Sequence, residues 1–214
     1  MTILVFAPHC DDEIIGVGGT IAKYVKEGKK VVVVIFSYGE HSDPIKKNEL
    51  VINERKKEAE EVKKLLGINK IIFLGVPDSK FWIFSGFKID KKLIKKVKDI
   101  IREYDPEEVF IPSKSDTHQD HRKAHNLLIK ILKDKKIKVY SYSVLSPIRL
   151  FNNNKPRFYV DISNTYDLKL KALDLFKSQQ ALYIDPLMPS IRVRAIKAGN
   201  DIGCKYAEMF YKLK

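Results

Sequence analysis

Cysteine is scarce in this chain. Only Cys10 and Cys204 occur among 214 residues, with no C-x-x-C spacing. That excludes a disulfide scaffold and suits a reducing compartment, so a cytoplasmic location is expected. Long hydrophobic runs are missing as well. Val31 to Phe36 is purely apolar but far short of the ~20 residues a membrane span needs. Met1 to Cys10 carries no Lys or Arg and leads straight into acidic residues, so no secretory leader is expected there. Arginine is rare: 7 of the 40 basic residues, the other 33 being Lys. The net charge of +13 invites a nucleic-acid reading, but groove and phosphate recognition favours Arg forks. The lysines lie on helical patterns such as Lys91-Lys92-Leu93-Ile94-Lys95-Lys96, where they form a solvated face. No nucleic-acid partner is therefore expected. Neither G-x-S-x-G nor G-x-x-x-x-G-K occurs. Gly16-Val17-Gly18-Gly19 fails the dinucleotide pattern, because Ile21 stands at its last glycine. Those glycines read instead as small residues that let a helix pack close to a sheet.

Enough remains to fold. Hydrophobic residues make up 44% and charged residues 31%, which argues against disorder. A chain of this length buries roughly 70% of its unfolded surface. Ile3 to Ala7 and Val31 to Phe36 read as buried strands, followed by Ile71 to Leu74, Glu108 to Ile111 and Lys138 to Val144. Helical patterns cover Gly16 to Lys26, Glu49 to Leu66, Asp90 to Glu103 and His118 to Leu132. The alternation predicts an α/β fold with a mostly parallel sheet flanked by helices. A single domain over 1–214 is expected, with 1–145 as its core and 146–214 as a C-terminal subregion. That subregion holds a strand over Phe158 to Ile162 and helices over Tyr166 to Leu182 and Ile191 to Ala198. Segments 76–87 and 146–155 read as irregular loops at the pocket mouth, where specificity resides. Phe81, Trp82 and Phe84 either stack on a ligand ring or cover a sheet edge or subunit contact.

Two polar clusters fall at strand ends, where open parallel sheets bind ligands. Pro8-His9-Cys10-Asp11-Asp12-Glu13 follows the first strand. Asp116-Thr117-His118-Gln119-Asp120-His121 follows the fourth. Adjacent carboxylates repel unless a cation or donors neutralise them. Imidazole and carboxylate together suit zinc, whose catalytic sites need three protein ligands and an open position. Two His and one carboxylate drawn from both clusters would supply that set. The plainer alternative is that Asp11 or Asp12 only caps a helix, and that His118 and His121 are exposed at a helix start.

Pro8-His9-Cys10-Asp11-Asp12-Glu13 resembles the AHPDDE signature of the PIG-L/LmbE-like deacetylases. His118-Gln119-Asp120-His121 resembles their HPDH motif. Gly39-Glu40, Asn53-Glu54-Arg55, Lys171-Ala172-Leu173 through Ser178-Gln179, and Tyr206-Ala207-Glu208-Met209-Phe210 follow in the family's order. Cys10 and Gln119 depart from it, each standing where the family has proline. The resemblance implies a Rossmann-like fold and a zinc-dependent hydrolase that removes acetyl from the nitrogen of an N-acetylglucosamine-type sugar or glycoconjugate. Another amide substrate, or a non-catalytic metal- or nucleotide-binding module, is the alternative. It further implies His9, Asp12 and His121 as ligands of one zinc per chain, though other divalent ions would also fit. Asp11 would be the general base. His118 would stabilise the oxyanion or protonate the leaving amine, and Asp120 would orient a histidine. Arg55 would hold substrate hydroxyls or a phosphate, unless it is a surface arginine paired with Glu58. A homo-oligomer is expected by resemblance only. A thiol at Cys10 beside the metal would be sensitive to oxidation. His41 is left unassigned, and His125, one turn from His121, reads as facing solvent.

Overall fold

The structure, a computed structural model, describes residues 1–43, 45–77, 91–145 and 156–214. The expected loop from residue 78 onward and the segment 146–155 lie outside the described residues.

Five strands run parallel: β1 (Thr2–Ala7), β2 (Lys30–Ile35), β3 (Lys70–Phe73), β4 (Glu108–Pro112) and β5 (Lys138–Tyr142). With β6 (Arg157–Asp161) and β7 (Ala207–Lys212) they form one sheet of order β3-β2-β1-β4-β5-β7-β6. β7 is antiparallel to both neighbours. Successive strand residues face opposite sides of the sheet. Ile3, Val5, Ala7, Val31, Val33 and Ile35 pack in one core with α1 (Asp12–Lys26), α2 (Asn48–Leu66), α5 (Tyr166–Leu173) and α6 (Asp185–Ile202). Leu4, Phe6, Val32 and Val34 pack in a second core with α3 (Lys91–Tyr104) and α4 (Gln119–Leu132). Burial on both faces is why β1 and β2 read as unbroken apolar runs.

The order reverses between β1 and β4, so the chain leaves these neighbours toward opposite flanks. That switch point opens a crevice beyond the carboxyl ends of β1 and β4. Both polar clusters start there. α1 can lie close to the sheet because residue 16 has no side chain: a Cβ on Gly16 would overlap the Tyr142 ring. The Tyr142 hydroxyl in turn donates to the Phe6 carbonyl at 2.8 Å.

Four expectations differ from the structure. α1 begins at Asp12 rather than Gly16, so the acidic run belongs to the first helical turn, where carboxylates suit the helix dipole. The helix expected over Tyr166 to Leu182 ends at Leu173. A 3₁₀ turn (Lys177–Gln179) and a π turn (Gln180–Ile184) follow, because Ser178 is held by Glu58 of α2 through its backbone N–H and its hydroxyl, both at 2.7 Å. α6 then starts at Asp185, well before the expected Ile191. Pro186 occupies its first turn, where proline is tolerated, and Pro189 is carried inside it. β7 was not expected as a strand. Its Glu208 interrupts the apolar pattern, and is buried because Lys169 pairs with it at 2.6 Å. The Glu208 carboxylate also accepts the Gly19 and Thr20 N–H groups at 3.0 and 2.8 Å, which ties β7 to α1.

Candidate active site

The chain turns sharply at the β1 exit. Asp11 sits at φ 108°, ψ −33°, a conformation that non-glycine residues rarely adopt. Its amide donates to Glu13 Oε2 at 3.1 Å, and its carbonyl accepts from Ile14 and Ile15 at 2.9 Å. Asp11 occupies the N-cap position of α1, yet its side chain makes no capping hydrogen bond. The helix-cap alternative therefore does not account for that carboxylate.

Asp12 turns the other way. Its Oδ2 accepts the His9 N–H at 2.9 Å and lies 3.4 Å from His9 Nδ1 and 3.1 Å from His121 Nε2. Donors on one tetrahedral zinc, with bonds of ~2.0–2.1 Å, are themselves about 3.3 Å apart. Both separations from Asp12 Oδ2 match that spacing. One nitrogen from each of His9, His118 and His121 also lies within 4.8 Å of the others. The chemistry and spacing of the donors thus fit a borderline divalent cation, with His9 and His121 common to either choice of third ligand.

Each ring is oriented from behind. His121 Nδ1 faces Asp116 Oδ1 at 3.2 Å, which leaves Nε2 for the cluster. Asp116 Oδ1 also accepts the His118 N–H at 3.0 Å, and its Oδ2 accepts Val144 and Leu145 N–H at 3.1 and 3.0 Å. His9 Nε2 lies 3.5 Å from Asp120 Oδ2. His118 Nδ1 accepts the Asp120 N–H at 3.3 Å, so its proton belongs on Nε2. Metal-binding imidazoles are commonly backed by a carboxylate in this manner.

Arg55 reaches in from α2 and is only 2% exposed. Its guanidinium contacts Asp11 Oδ2 at 3.3 Å, the Gly39 carbonyl at 3.4 Å and the Cys10 carbonyl. Gly39 is in the left-handed region (φ 70°), and a Cβ there would strike the guanidinium. The surface pairing of Arg55 with Glu58 is thereby overturned, since Glu58 holds Ser178 instead. His125 is likewise buried, with Nδ1 2.8 Å from the Pro112 carbonyl, because its helix face lies against the sheet. Cys10 is fully buried, and burial pushes its thiol far above the ordinary range. It is therefore poorly placed for oxidation.

The electrostatics separate the two adjacent aspartates. Burial pushes the Asp11 carboxyl upward, and Arg55 offsets this only in part. Burial would do the same to Asp12, but the His121 and His9 rings hold it well below the usual carboxylate range. Against the downward pull of burial, Asp12 and Asp116 raise His121 to about 9. The surroundings thus favour positive charge at that ring, the demand a divalent cation also meets. Burial lowers His118, and His121 and His9 lower it further, so it is a neutral imidazole near pH 7. Burial and Asp11 push Glu13 up to about 8.

These groups line an open cavity of about 160 Å³. His9, Asp11, Asp12, Arg55, His118 and His121 all line it. Asp120 stands behind, against His9. Sequence reasoning missed Asp116, His41, Gln179 and Tyr183. Asp116 could have been found from its place two residues before His118. His41, Gln179 and Tyr183 line the cavity from loops and turns whose path no periodicity reveals.

The family model for GlcNAc-PI de-N-acetylase, PIG-L, matches residues 4–132, which span both clusters and the sheet between them. The diacetylchitobiose deacetylase of Thermococcus kodakarensis is 28% identical over 222 residues, covering 96% of this chain and 80% of that protein. A probable N-acetyl-alpha-D-glucosaminyl L-malate deacetylase 2 of Bacillus cereus is 25% identical, with 89% of each chain covered. The solved structure of N,N′-diacetylchitobiose deacetylase from Pyrococcus horikoshii superposes with a TM-score of 0.82 at 27% identity. That match covers 99% of this chain and 83% of the other. The switch-point site and the matched sequence lead to one assignment: this chain belongs to the PIG-L family of LmbE-like deacetylases.

Proposed function

We propose that the chain is a zinc-dependent N-deacetylase of a small N-acetylglucosamine-type sugar or glycoconjugate. One observation carries the reading. A carboxylate oxygen of Asp12 lies 3.4 and 3.1 Å from two imidazoles, while its neighbour Asp11 lines the same cavity outside that cluster. A site that only bound a metal would have no use for the second carboxylate. His9, Asp12 and His121 would hold the ion, and other divalent metals suit the same donors. When bound, the ion supplies Lewis acidity toward an amide carbonyl and acidifies a water molecule.

The protein's own groups do the rest. Asp11 takes the proton of the attacking water as general base. His118, a neutral imidazole with its proton on Nε2, donates a hydrogen bond to the developing oxyanion, and Asp11 passes the proton that it took to the leaving nitrogen. The amide C–N bond breaks, giving acetate and a free amine. Asp116 and Asp120 keep His121 and His9 in register. Arg55 holds Asp11, and meets substrate hydroxyls or a phosphate where its edge lines the cavity. The 4.8 Å grouping of three histidines supports a second ligand set, with His118 replacing Asp12. It would leave no residue for His118's task as hydrogen-bond donor.

The test is acetate release from N-acetylglucosamine and N,N′-diacetylchitobiose. Release should require zinc, stop on chelation and return on adding zinc. No acetate from any N-acetylated sugar in such a panel would overturn the proposal.

A further inference from the structure

A second cleft lies on the other side of Ile15, which is the single residue shared by the two linings among the described residues. It is an open cleft of about 90 Å³ between α1, the end of β5, the β6–β7 pair and α6. Ile191, Ala195, Ala198, Ala207 and Met209 give it aliphatic walls. Its charged lining is Arg157, Lys169, Arg194 and Lys197 against Asp201 and Glu208.

The acids are already engaged. Glu208 is bonded to Lys169 and to two amides of α1. Asp201 accepts the Tyr159 hydroxyl at 2.9 Å. Lys169 is satisfied by Glu208 and by the Ile15 carbonyl at 2.8 Å. Arg194 is not. Its Nε donates to the Ser190 carbonyl at 3.3 Å and its Nη1 to the Ser143 carbonyl at 3.0 Å. Its Nη2 is buried with no hydrogen-bond partner. Burial lowers the guanidinium's pKa, and Asp116 and Glu208 offset that only in part. A guanidinium cannot shed its charge near neutral pH, so a buried unanswered donor is costly.

We propose that this cleft is a second ligand site, taking a small organic carboxylate whose aliphatic body fills the walls and whose charge answers Arg194. One unanswered donor and mostly aliphatic walls match a monoanion with a short chain better than a phosphate dianion. The site is separate from the metal centre, and its existence does not depend on the deacetylase reading.

The probe is hexanoate, titrated calorimetrically into the zinc-loaded protein. Hexanoate should bind at roughly millimolar concentration. Hexan-1-ol should bind at least roughly tenfold more weakly, since it lacks the charge-assisted hydrogen bond. Arg194→Met should abolish hexanoate binding. Lys197→Glu, an exposed change that the fold tolerates, should weaken it several-fold even if the Arg194 variant does not fold. Neither change touches the metal ligands, so hexanoate bound there would survive both. No binding to the wild type, unchanged binding in the Lys197→Glu protein, equal binding of the alcohol, or binding of inorganic phosphate alone would each overturn the proposal.

Discussion

Asp116→Asn tests how the cation site is built. The Asp116 carboxylate is buried and faces four groups: one oxygen accepts the His118 N–H and lies 3.2 Å from His121 Nδ1, and the other accepts the Val144 and Leu145 N–H. All four are donors. Asparagine offers one acceptor oxygen and one NH₂ group, so either orientation of the amide sets N–H against two N–H groups. If the oxygen keeps Val144 and Leu145, the His121 ring loses its support. If it keeps His118 and His121, the β5 exit loses two bonds. Each buried donor left unsatisfied costs ~1–3 kcal/mol, for a total of roughly 2–6 kcal/mol shared between folding and site geometry. Loss of a carboxylate behind a metal-binding histidine typically lowers metal affinity ~10–100-fold. The measurement is zinc affinity by competition with a chromophoric chelator, beside thermal melts with and without zinc. The variant should show weaker zinc binding, a lower melting temperature, or both. A protein with wild-type affinity and wild-type stability would refute the claim that Asp116 organises His121 and the β5 exit.

His121→Ala should lose most of its zinc by elemental analysis, whereas His118→Ala should keep zinc and lose acetate release by ~10²–10³-fold as a missing oxyanion donor. Equal loss of metal in both variants would favour the three-histidine set instead. Lys169→Met leaves Glu208 buried without its cation, which should cost ~3–5 kcal/mol and lower the melting temperature by roughly 6–20 °C. Adding Glu208→Gln should recover part of that loss, because the neutral amide oxygen still accepts from α1; a single variant that melts like the wild type would count against the pair's role. Gly16→Ala should destabilise by ~1–3 kcal/mol in denaturant titration, because the new methyl overlaps the Tyr142 ring and forces α1 off the sheet.

The parallel half of the sheet was legible because strands covered on both faces must be apolar, and β1, β2 and β4 are apolar beyond their first residues, Thr2, Lys30 and Glu108. The clustering behind the candidate cation site was legible for a related reason. His9, Asp12 and His121 are expensive in a packed crevice unless they hold something, so their clustering at two strand ends carries information. The C-terminal third was harder to read. Leu170, Leu173 and Phe176 satisfy a helical spacing, but the chain leaves α5 after Leu173 because Glu58, far away in sequence, captures Ser178. β7 was hidden by Glu208, whose burial makes sense only once Lys169 and two amides of α1 are brought to it. In both places the deciding partner lies over a hundred residues away or on another layer, and local periodicity carries no trace of it. Asp116 illustrates a different limit. It is one more acid in a polar loop until the β5 exit is folded against it.

Asp11 and Asp12 are neighbours in sequence and opposites in environment, and the backbone between them explains how. Two adjacent carboxylates on an ordinary helix start would both be free to crowd one cation. The left-handed φ at Asp11 prevents this by turning its side chain toward Arg55 while Asp12 enters the first turn of α1 toward the imidazoles. Such a conformation costs ~1–3 kcal/mol, and it is held by the Glu13 bond to the Asp11 amide and by the helix bonds to the Asp11 carbonyl. The environments then set the charges. Asp12, between two rings, stays ionised, as its proposed role as a ligand requires. Asp11, buried and countered chiefly by Arg55, has its carboxyl pushed upward, toward the range where a base can both accept and release a proton. Arg55 limits that rise, which favours the ionised form that the proposed base needs. In the proposed reaction, the arginine that the sequence offered as a substrate contact would thus act one step earlier, helping Asp11 stay able to accept a proton.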